Sequence, residues 1–568
     1  MAGNARTGDP RTVDDIANEY VSERARLDPV TSAVFGVQEY EDRLTDYSPD
    51  GARERADLDR ATLARLQQVS AESERDRRAV RAMRDRLHNQ LELFESGEHL
   101  RNLSNIVSPL SFLAMVLETM PRANEQDWVN VAARLERVPW SVATARAALL
   151  AGLETGAPAQ QRVAFVMADQ ASAWGGANGD RGRFAQLVLE ASGERDALRR
   201  RLESAAGAAD EAFRDVARFL REEYGPSADP GVGVGADQYR AAARFWTGDD
   251  LDLAETYDWG WAELGSIWQR MSEVGNQILP GATLPEVVAH VQDLPGYVVE
   301  GEDALQRWLQ DLLDSSVAAL DGAHFDIDPR IHRVEAMIAP PGGALAPYYT
   351  PPSEDLSRPG RTWYPTGGRT RFPLWMEKTT CFHEGVPGHH LELANAAVQT
   401  ESMTRFQRTT ENGGFSEGWA LYAERLMGEL GFLDDPVYEL GMLSASAFRA
   451  ARVVIDIGMH LELPVPRDPG FTADWLTPGE PMTPDVALRI ADNVSPYPHE
   501  MMVSEIDRYL GTPGQAISYK VGERVWLESR EAARRRRGPQ FELKAFHTHA
   551  LSIGTMGLAQ LRDELARW

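Results

Sequence analysis

The chain has 568 residues, of which 43% are hydrophobic and 26% are charged. This is the composition of a folded globular protein, and it excludes global disorder. Asp and Glu outnumber Lys and Arg by 86 to 59, so the formal net charge is −27 at pH 7. A protein this acidic has no general attraction for nucleic acids or anionic membranes, and we expect neither as a partner.

The cysteine content and the apolar stretches of the sequence predict the cellular compartment of the protein. Cys381 is the only cysteine, which excludes an internal disulfide and a cysteine-based zinc site. The segment Met1–Pro10 is polar and lacks the apolar core of a secretory signal. The longest apolar stretch, Ile106–Met120, is too short and too polar to cross a bilayer. These features predict a cytoplasmic protein.

Amphipathic helical periodicity dominates the first 330 residues, for example over Asp127–Leu153 and Leu251–Leu279. The Gly-rich stretch Gly231–Gly235 lacks the spacing and the preceding strand of a dinucleotide-binding loop, so it predicts an ordinary loop. Helical patterns return from Leu374 onward. We find no fixed-period repeat, which argues against a solenoid.

Two short β-like runs interrupt this helical pattern, at Val334–Ile338 and at Thr362–Tyr364. We therefore predict a mainly α fold with two helical lobes around a cleft and a small antiparallel β element beside the metal-binding helix. The expected division is an N-terminal helical lobe over 1–330 and a metal-binding catalytic lobe over 331–568, within one continuous fold.

Residues 383–390 read His-Glu-Gly-Val-Pro-Gly-His-His. A His-Glu pair followed by a second His on a helix is the arrangement of zinc peptidases, in which two imidazoles hold the metal. The Glu beside the first histidine is the general base toward water. The usual second ligand is at i+4, but here i+4 from His383 is Pro387, and the next histidines fall at i+6 and i+7.

On a straight helix, six or seven residues span about 9–10 Å, which is too far for two ligands with zinc bonds of roughly 2 Å. Pro387 removes a helical hydrogen bond, and Gly388 tolerates unusual torsions. We therefore predict a local bulge that brings a second histidine, His389 or His390, back to the metal.

A second segment, Glu-Gly-Trp-Ala-Leu-Tyr-Ala-Glu from Glu417 to Glu424, supplies the expected third ligand. Ser416 is a good N-cap, which predicts that the carboxylate of Glu417 lies near a helix start and faces inward. Glu424 is at i+7 on the same face and is expected to hydrogen-bond a ligand histidine, although it could also be an ordinary surface Glu.

The C-terminal half resembles the bacterial domain-of-unknown-function family 885, and its Glu417–Glu424 segment resembles the third-ligand segment of gluzincin peptidases. The resemblance is specific from about residue 340 onward and rests on the two segments above and on three more. These are Tyr348–Gly360, Arg452–His460 and Pro513–Gly522.

The resemblance implies a peptidase-like site with one zinc ion per chain, bound by His383, His389 and Glu417. It favours His389 over His390 as second ligand, which leaves His390 as a core or cleft histidine beside the site. Glu384 is the implied general base.

Further residues are candidates for the site. Arg452, Asp456 and His460 share one helix face, so Arg452 and Asp456 form either a structural ion pair or part of the site lining. Tyr519 is the preferred donor to a developing oxyanion, with His460 as the alternative. A core role for Tyr519 is nearly as well supported.

We expect Tyr348, Tyr349 and Arg358 to line the substrate cleft or else to complete the small sheet. The Val334–Ile338 strand is expected to pair with an extended substrate backbone.

The function expected from these observations is zinc-dependent hydrolysis of short peptides. The alternatives are a zinc hydrolase or biosynthetic enzyme acting on a non-peptide amide, and a non-catalytic peptide-binding protein. The intact Glu384 disfavours the last of these, because a scaffold needs no general base.

Overall fold

The structure is a computed structural model that describes residues 12–34, 36–37, 39–176, 181–191, 195–339 and 346–568, without the side chains of residues 118 and 119. The Met1–Pro10 segment, on which part of the location prediction rests, lies outside the described residues. Helices account for 66% of the structure. The predicted mainly α fold is therefore confirmed.

The helices before residue 330 form bundles in which each helix buries one apolar face. They are α1 (Val13–Leu27), α2 (Pro29–Val34), α3 (Pro49–Leu66), α4 (Glu74–Glu95), α5 (Pro109–Thr119), α6 (Glu125–Glu154), α7 (Gln161–Trp174), α8 (Arg183–Leu187), α9 (Asp196–Arg218), α10 (Ala236–Thr247), α11 (Leu253–Ile278), α12 (Leu284–Gln292) and α13 (Glu302–Leu320). Residues 231–235 form a loop, as the sequence predicts.

The helices after residue 374 carry the residues singled out by the sequence motifs. They are α14 (Glu377–Glu384), α15 (His389–Val398), α16 (Arg405–Thr409), α17 (Gly413–Glu429), α18 (Pro436–His460), α19 (Pro484–Val494), α20 (His499–Gly511), α21 (Ser518–Arg537), α22 (Leu543–Ser552) and α23 (Leu558–Arg567). Because α18 lies in the centre of the molecule, every residue from Ala447 to His460 is buried.

Within the described ranges, five short strands form two small sheets. They are β1 (Val298–Glu300), β2 (Val334–Ile338), β3 (Tyr348–Thr350), β4 (Gly360–Tyr364) and β5 (Arg371–Pro373). β1 pairs with β5 antiparallel, and the second sheet has the order β2-β4-β3. In that sheet β4 is antiparallel to β3 but parallel to β2. The predicted antiparallel pairing is confirmed for β1–β5 and for β3–β4, whereas β2 pairs with β4 in parallel, because β4 inserts between the two earlier strands rather than following β2 in a hairpin.

The outer edge of β2 is occupied by side chains of α13. Gln310 donates to the Val334 carbonyl at 2.9 Å and accepts from the Ala336 N–H at 2.9 Å, and Gln306 donates to the Ala336 carbonyl at 2.8 Å. These amides satisfy the backbone groups that an extended peptide would need. The predicted pairing of a substrate with β2 is therefore wrong.

The larger of two hydrophobic clusters is continuous across residue 330 and extends from Val30 to Leu565, and the smaller one packs α1, α3 and α4 against Phe406. Buried hydrogen bonds also join residues before residue 330 to residues after it. Tyr239 of α10 donates to Asp456 of α18 at 2.7 Å, and Lys520 of α21 donates to Glu263 of α11 at 2.8 Å. The division into an N-terminal and a metal-binding lobe stays a prediction. Within the described ranges, we find no helix long and apolar enough to cross a membrane.

Candidate metal centre

The interruption between α14 and α15 brings the two motif histidines together. α14 ends at Glu384 and α15 begins at His389, so the chain leaves the helix completely where the sequence predicts only a bulge. Two backbone hydrogen bonds close the connection, from Gly388 to the Phe382 carbonyl and from His390 to the Gly385 carbonyl, both at 3.0 Å. As a result, the rings of His383 and His389 lie 4.9 Å apart.

Gly388 is required by this geometry. A Cβ atom at this position would overlap the backbone carbonyl oxygens of Phe382 and His383. Trp419 of α17 holds the connection from the other side, since its indole N–H donates to the Pro387 carbonyl at 2.9 Å. Trp419, from the Glu417–Glu424 segment, thus holds in place the turn that lies between His383 and His389.

Three ligand atoms converge at this point. The Glu417 carboxylate Oε2 lies 3.5 Å from His383 Nε2 and 3.4 Å from His389 Nε2, and all three atoms lie within 4.8 Å of one another. Oε2 is buried, yet it accepts no hydrogen bond from the described residues. Buried carboxylate oxygens normally have a partner, and two imidazoles with one carboxylate are a donor set that zinc prefers. The residues present therefore fit a zinc ion.

Glu417 lies on α17, but further from the start of the helix than it would if Ser416 were the N-cap. The helix begins earlier, at Gly413, and the residue that caps it is Asn412, whose side chain accepts from the Phe415 N–H. Glu417 therefore projects from the second turn of the helix, with 15% of its side chain exposed. Burial opposes its ionisation, but the two facing histidines hold the pKa of Glu417 well below its usual range.

Hydrogen bonds to the Nδ1 atoms aim both histidine Nε2 atoms at the centre. Glu424 Oε1 accepts from His383 Nδ1 at 2.8 Å, and Thr379 donates to the other oxygen of the same carboxylate. His389 Nδ1 lies 3.4 Å from the Ser416 hydroxyl. When each ring is neutral, as metal binding requires, these partners place its proton on Nδ1 and leave Nε2 free to bind a metal ion.

Two supporting residues were not singled out by the sequence analysis. Glu392 accepts a hydrogen bond from the Ser416 hydroxyl at 2.7 Å, and Thr379 donates one to Glu424. The sequence does carry a signal for both, because Glu392 is at i+3 from His389 and Thr379 is at i−4 from His383.

Glu384 is buried at the end of α14, directly after His383. Burial raises the pKa of its carboxyl, and the negative charge of Glu417 acts in the same direction. Its position beside the ligand histidine is the one that the motif predicts for a general base.

Tyr519 lies over the centre because α21 packs tightly on α17. The two helices meet at Gly418 and Gly522, where any side chain on either residue would overlap the backbone of the other helix. The Tyr519 ring is parallel to that of His383, with centroids 6.3 Å apart. Burial, followed by the charge of Glu417, raises the pKa of Tyr519 to about 12, so the phenol keeps its proton at neutral pH.

His390 faces away from the ligand cluster. Its Nε2 lies 2.8 Å from the Ile331 carbonyl and its Nδ1 lies 2.9 Å from the Tyr349 hydroxyl. Burial lowers the pKa of His390 to about 4, so the ring is neutral. The structure thus places His389 in the cluster and uses His390 to link α15 to β3.

The other two residues predicted to line the cleft make contacts around the sheet. Tyr348 stacks on Trp363 of β4 with ring centroids 5.9 Å apart. Arg358 donates to the Pro351 carbonyl at 2.8 Å. These contacts are those of residues that complete the sheet and its adjoining loop.

The expected Arg452–Asp456 ion pair is wrong, because other helices supply the partners. Arg452 donates to Glu505 at 2.8 Å and to the Tyr509 hydroxyl at 3.0 Å. Asp456 accepts from the Gly514 N–H at 2.9 Å, besides the bond from Tyr239. The Arg452 guanidinium also lies 4.6 Å from the centre of the Tyr519 ring, so it does adjoin the site.

His460 is fully buried, and its Nε2 lies 2.9 Å from the Tyr509 carbonyl. It lies two helical turns beyond Arg452 on α18, and its described partners all belong to the core. The contacts of His460 are therefore those of a core residue, and they favour Tyr519 as the oxyanion donor.

Comparison with known proteins identifies the family. Residues 29–565 match the family described as "Bacterial protein of unknown function (DUF885)". The chain belongs to the DUF885 family. No curated protein matches this DUF885 chain.

Two solved structures share the fold of this DUF885 protein. One is a candidate lipoprotein from Colwellia psychrerythraea, with a TM-score of 0.82 and 21% identity over 98% of this chain and 99% of that chain. The other is a candidate lipoprotein of unknown function from Shewanella oneidensis, with a TM-score of 0.72 and 17% identity over 98% of this chain and 100% of that chain. At these identities the likeness establishes the fold alone.

Proposed function

We propose that this DUF885 protein is a zinc-dependent peptidase that hydrolyses short peptides. The single observation that supports the proposal is the convergence of His383 Nε2, His389 Nε2 and Glu417 Oε2 beside the buried carboxyl of Glu384. Three protein ligands leave one coordination position open, which distinguishes a catalytic zinc site from a structural one. A bound zinc ion supplies a Lewis acid that polarises a carbonyl group and acidifies water.

In this mechanism Glu384 moves the proton. Its carboxylate takes a proton from the attacking water and gives it to the nitrogen of the leaving amine. Burial and the neighbouring Glu417 raise the pKa of Glu384, which makes it a stronger base than an exposed carboxylate. Glu424 and Ser416 keep the two histidines in the orientation that this chemistry requires.

Tyr519 donates a hydrogen bond to the oxyanion that forms on the substrate carbonyl. The phenol is protonated at neutral pH and its ring is fixed between His383 and the guanidinium of Arg452. A donor held in place before the reaction stabilises the transition state without reorganisation.

The exposure of the site residues supports a short, flexible substrate. His383, Glu384 and His389 are buried, whereas Glu417 and Tyr519 are only partly buried. We expect a chain segment thin enough to pass these two side chains to reach the centre, and the surface of a folded protein to be excluded.

The test combines metal analysis with a peptide digest. We expect about one zinc per chain in the purified protein, and its loss in His383→Ala and in Glu417→Gln. The zinc-loaded protein is expected to cleave members of a tri- to hexapeptide library, detected by mass spectrometry. Glu384→Gln should retain zinc but lose at least about 100-fold in rate, the contribution of a general base.

The second His-Glu pair in the chain supplies a matched control. His499 and Glu500 lie on the surface of α20, and His499 is 62% exposed. His499→Ala and Glu500→Gln should therefore leave zinc content and cleavage unchanged. Protein that binds no zinc after zinc addition and dialysis would overturn the mechanism, and zinc-loaded protein that cleaves no peptide would overturn the substrate class.

The cytoplasmic location is a separate part of the proposal. The two similar structures carry names of candidate lipoproteins, which are attached to membranes through a lipid. Cell fractionation distinguishes the two locations. Recovery in the soluble cytoplasmic fraction supports the proposal, and recovery with the membranes overturns it.

A further inference from the structure

Arg449 of α18 is a buried cation, and two of its three nitrogens have no hydrogen-bond acceptor among the described residues. Its side chain is 10% exposed, and its Nε and Nη1 atoms are buried and donate to no acceptor among the described residues. Leaving guanidinium donors unpaired away from water costs free energy, so such groups normally have acceptors. The arrangement indicates an acceptor that comes from outside the chain.

The nearest carboxylate does not satisfy this arginine. Glu424 Oε1 lies 3.9 Å from Arg449 Nη2, beyond hydrogen-bonding distance. Both oxygens of Glu424 already accept other hydrogen bonds, from His383 and from Thr379. Glu424 thus places Arg449 close to the ligand histidine and leaves its donors available.

Two further arginines add positive charge beside Arg449. Arg452, one turn along α18, shares the single carboxylate of Glu505 with Arg508 of α20. Each of these two arginines also has one buried nitrogen without an acceptor in the described structure, Nη1 of Arg452 and Nε of Arg508. Two guanidiniums on one carboxylate leave a net positive charge that attracts an anion.

This cationic group lies at the edge of the metal centre. Arg452 covers the face of Tyr519, the residue that lies over His383. Arg449 Nη2 lies 3.9 Å from Glu424 Oε1, the oxygen that accepts from His383 Nδ1 at 2.8 Å. An anion bound by Arg449 is therefore close to His383 and to the metal centre.

We infer that Arg449, assisted by Arg452, binds the C-terminal carboxylate of the peptide substrate. The inference rests on the proposed peptidase function and makes the protein an exopeptidase that acts at the carboxyl end. The planar fork of a guanidinium matches the two oxygens of a carboxylate. Since an extended residue spans about 3.5 Å, a carboxylate at Arg449 places the scissile bond one or two residues from the C terminus.

The first measurement is binding, which does not depend on hydrolysis. Zinc-loaded Glu384→Gln is titrated with a pool of tetrapeptides in two forms, one with a free C-terminal carboxylate and one with a C-terminal carboxamide. We expect the free acids to bind at least about 10-fold more tightly. Arg449→Met should remove this difference, whereas Arg449→Lys should retain part of it.

Arg425 on α17 provides the matched control, since its side chain is 50% exposed and pairs only with Glu429 in the described structure. Arg425→Met should preserve the preference for free acids. Equal binding of acids and amides by the parent protein would overturn the inference. A preference that survives in Arg449→Met would also overturn it. Thermal melting tests whether each variant, Arg449→Met included, remains folded.

The second measurement is cleavage by the zinc-loaded wild-type chain. Free acids should lose one or two residues from the carboxyl end, and kcat/KM for the carboxamides should be at least about 100-fold lower.

Cleavage of both forms at internal bonds would overturn the inference while the peptidase proposal stands. If binding depends on the carboxylate and on Arg449 but no peptide is cleaved, the peptidase proposal fails and the carboxylate site stands. Inorganic phosphate that competes as well as the free acids would show a general anion site and would also overturn the inference.

Discussion

The Glu424 carboxylate determines which nitrogen of His383 faces the centre. It accepts from Nδ1 at 2.8 Å and is itself held by Thr379, so the imidazole has one orientation and one tautomer. A carboxylate in this position also raises the basicity of the ligand nitrogen. The residue lies on α17, one helix away from the histidine that it supports.

Replacing Glu424 should therefore weaken zinc binding without removing a ligand. We expect the zinc affinity of Glu424→Ala to fall by about 10–100-fold, because His383 loses its orienting partner. Glu424→Gln should lose less, since its amide oxygen can still accept from Nδ1. Competition with a chromophoric chelator measures both affinities, and wild-type affinity in Glu424→Ala would contradict the assigned role.

His460 shows how burial alone changes the chemistry of a residue. Burial lowers the pKa of this imidazole to about 4, from an ordinary value near 6.5. Between these values the unfolded chain binds a proton that the folded chain does not. The stability that neutral His460 contributes is therefore fully present above pH 6.5 and is lost as the pH falls toward 4.

The pH dependence of stability tests this assignment. With a chelator present, the slope of the unfolding free energy between pH 4 and 6.5 should be smaller in His460→Gln than in the wild type, by about 1 kcal/mol per pH unit. The Gln amide can still donate to the Tyr509 carbonyl, which preserves the hydrogen bond. Urea unfolding at several pH values gives the slopes, and identical slopes in the two proteins would show that His460 is not the group that titrates.

At the scale of elements, the connection between α14 and α15 builds the ligand set. The chain at Gly388 passes so close to the carbonyl oxygens of Phe382 and His383 that no side chain fits. These neighbours are backbone atoms of a buried helix, so they cannot move aside. Any residue larger than glycine must therefore displace His389.

Gly388→Ala should destabilise the protein by about 1–3 kcal/mol and should also weaken zinc binding. Gly207, inside α9, provides the control, because a Cβ there meets no atom within 4 Å. Gly207→Ala should stabilise the chain by about 0.4–1 kcal/mol and should leave zinc binding unchanged. Thermal melting and zinc titration of both variants check the pair, and normal zinc binding by Gly388→Ala would disprove the steric argument.

At the scale of the whole molecule, the half that carries the candidate metal centre depends on the half that precedes it. α11 packs along α18, and the larger hydrophobic cluster is continuous from Val30 to Leu565. Removing the first 330 residues would strip Asp456 of the Tyr239 hydroxyl and Lys520 of Glu263. Both Asp456 and Lys520 are almost completely buried.

The fragment 331–568 is therefore expected not to fold alone. It would expose the apolar surface of α18 and would remove one buried hydrogen bond each from Asp456 and Lys520, at a cost of about 1–3 kcal/mol per bond. Circular dichroism should show no cooperative thermal transition in the fragment and a clear one in the full chain. A cooperative transition near that of the full chain would instead establish an independent C-terminal domain.

Much of the site could be predicted because its chemistry is local in the sequence. The mainly α class could be predicted from the spacing of the apolar residues, because this spacing marks a helix whatever the helix packs against. Nearly all of the metal centre lies in two short segments, since each helix brings residues one turn apart to the same face. His383, Glu384, Glu417 and Glu424 could be named for this reason.

The remaining features depend on contacts between distant segments. Which of His389 and His390 joins the cluster is decided by the direction in which the chain leaves α14, and Gly388 and Trp419 set that direction. Glu505 on α20 takes the partner role that helical spacing assigned to Asp456. Periodicity identifies the face on which a side chain lies, but it cannot identify what packs against that face.

The sequence by itself therefore determined the helical class, the family and the residue types of the candidate zinc site. Only the tertiary structure decided that β2 has its edge covered by glutamines of α13 and that His460 belongs to the core. It also decided that Nε and Nη1 of Arg449 meet no acceptor in the part of the chain that the structure describes. The physical reason is the same in each case. Hydrogen-bond satisfaction and burial are properties of segments far apart in the chain, and they exist only after those segments have packed together.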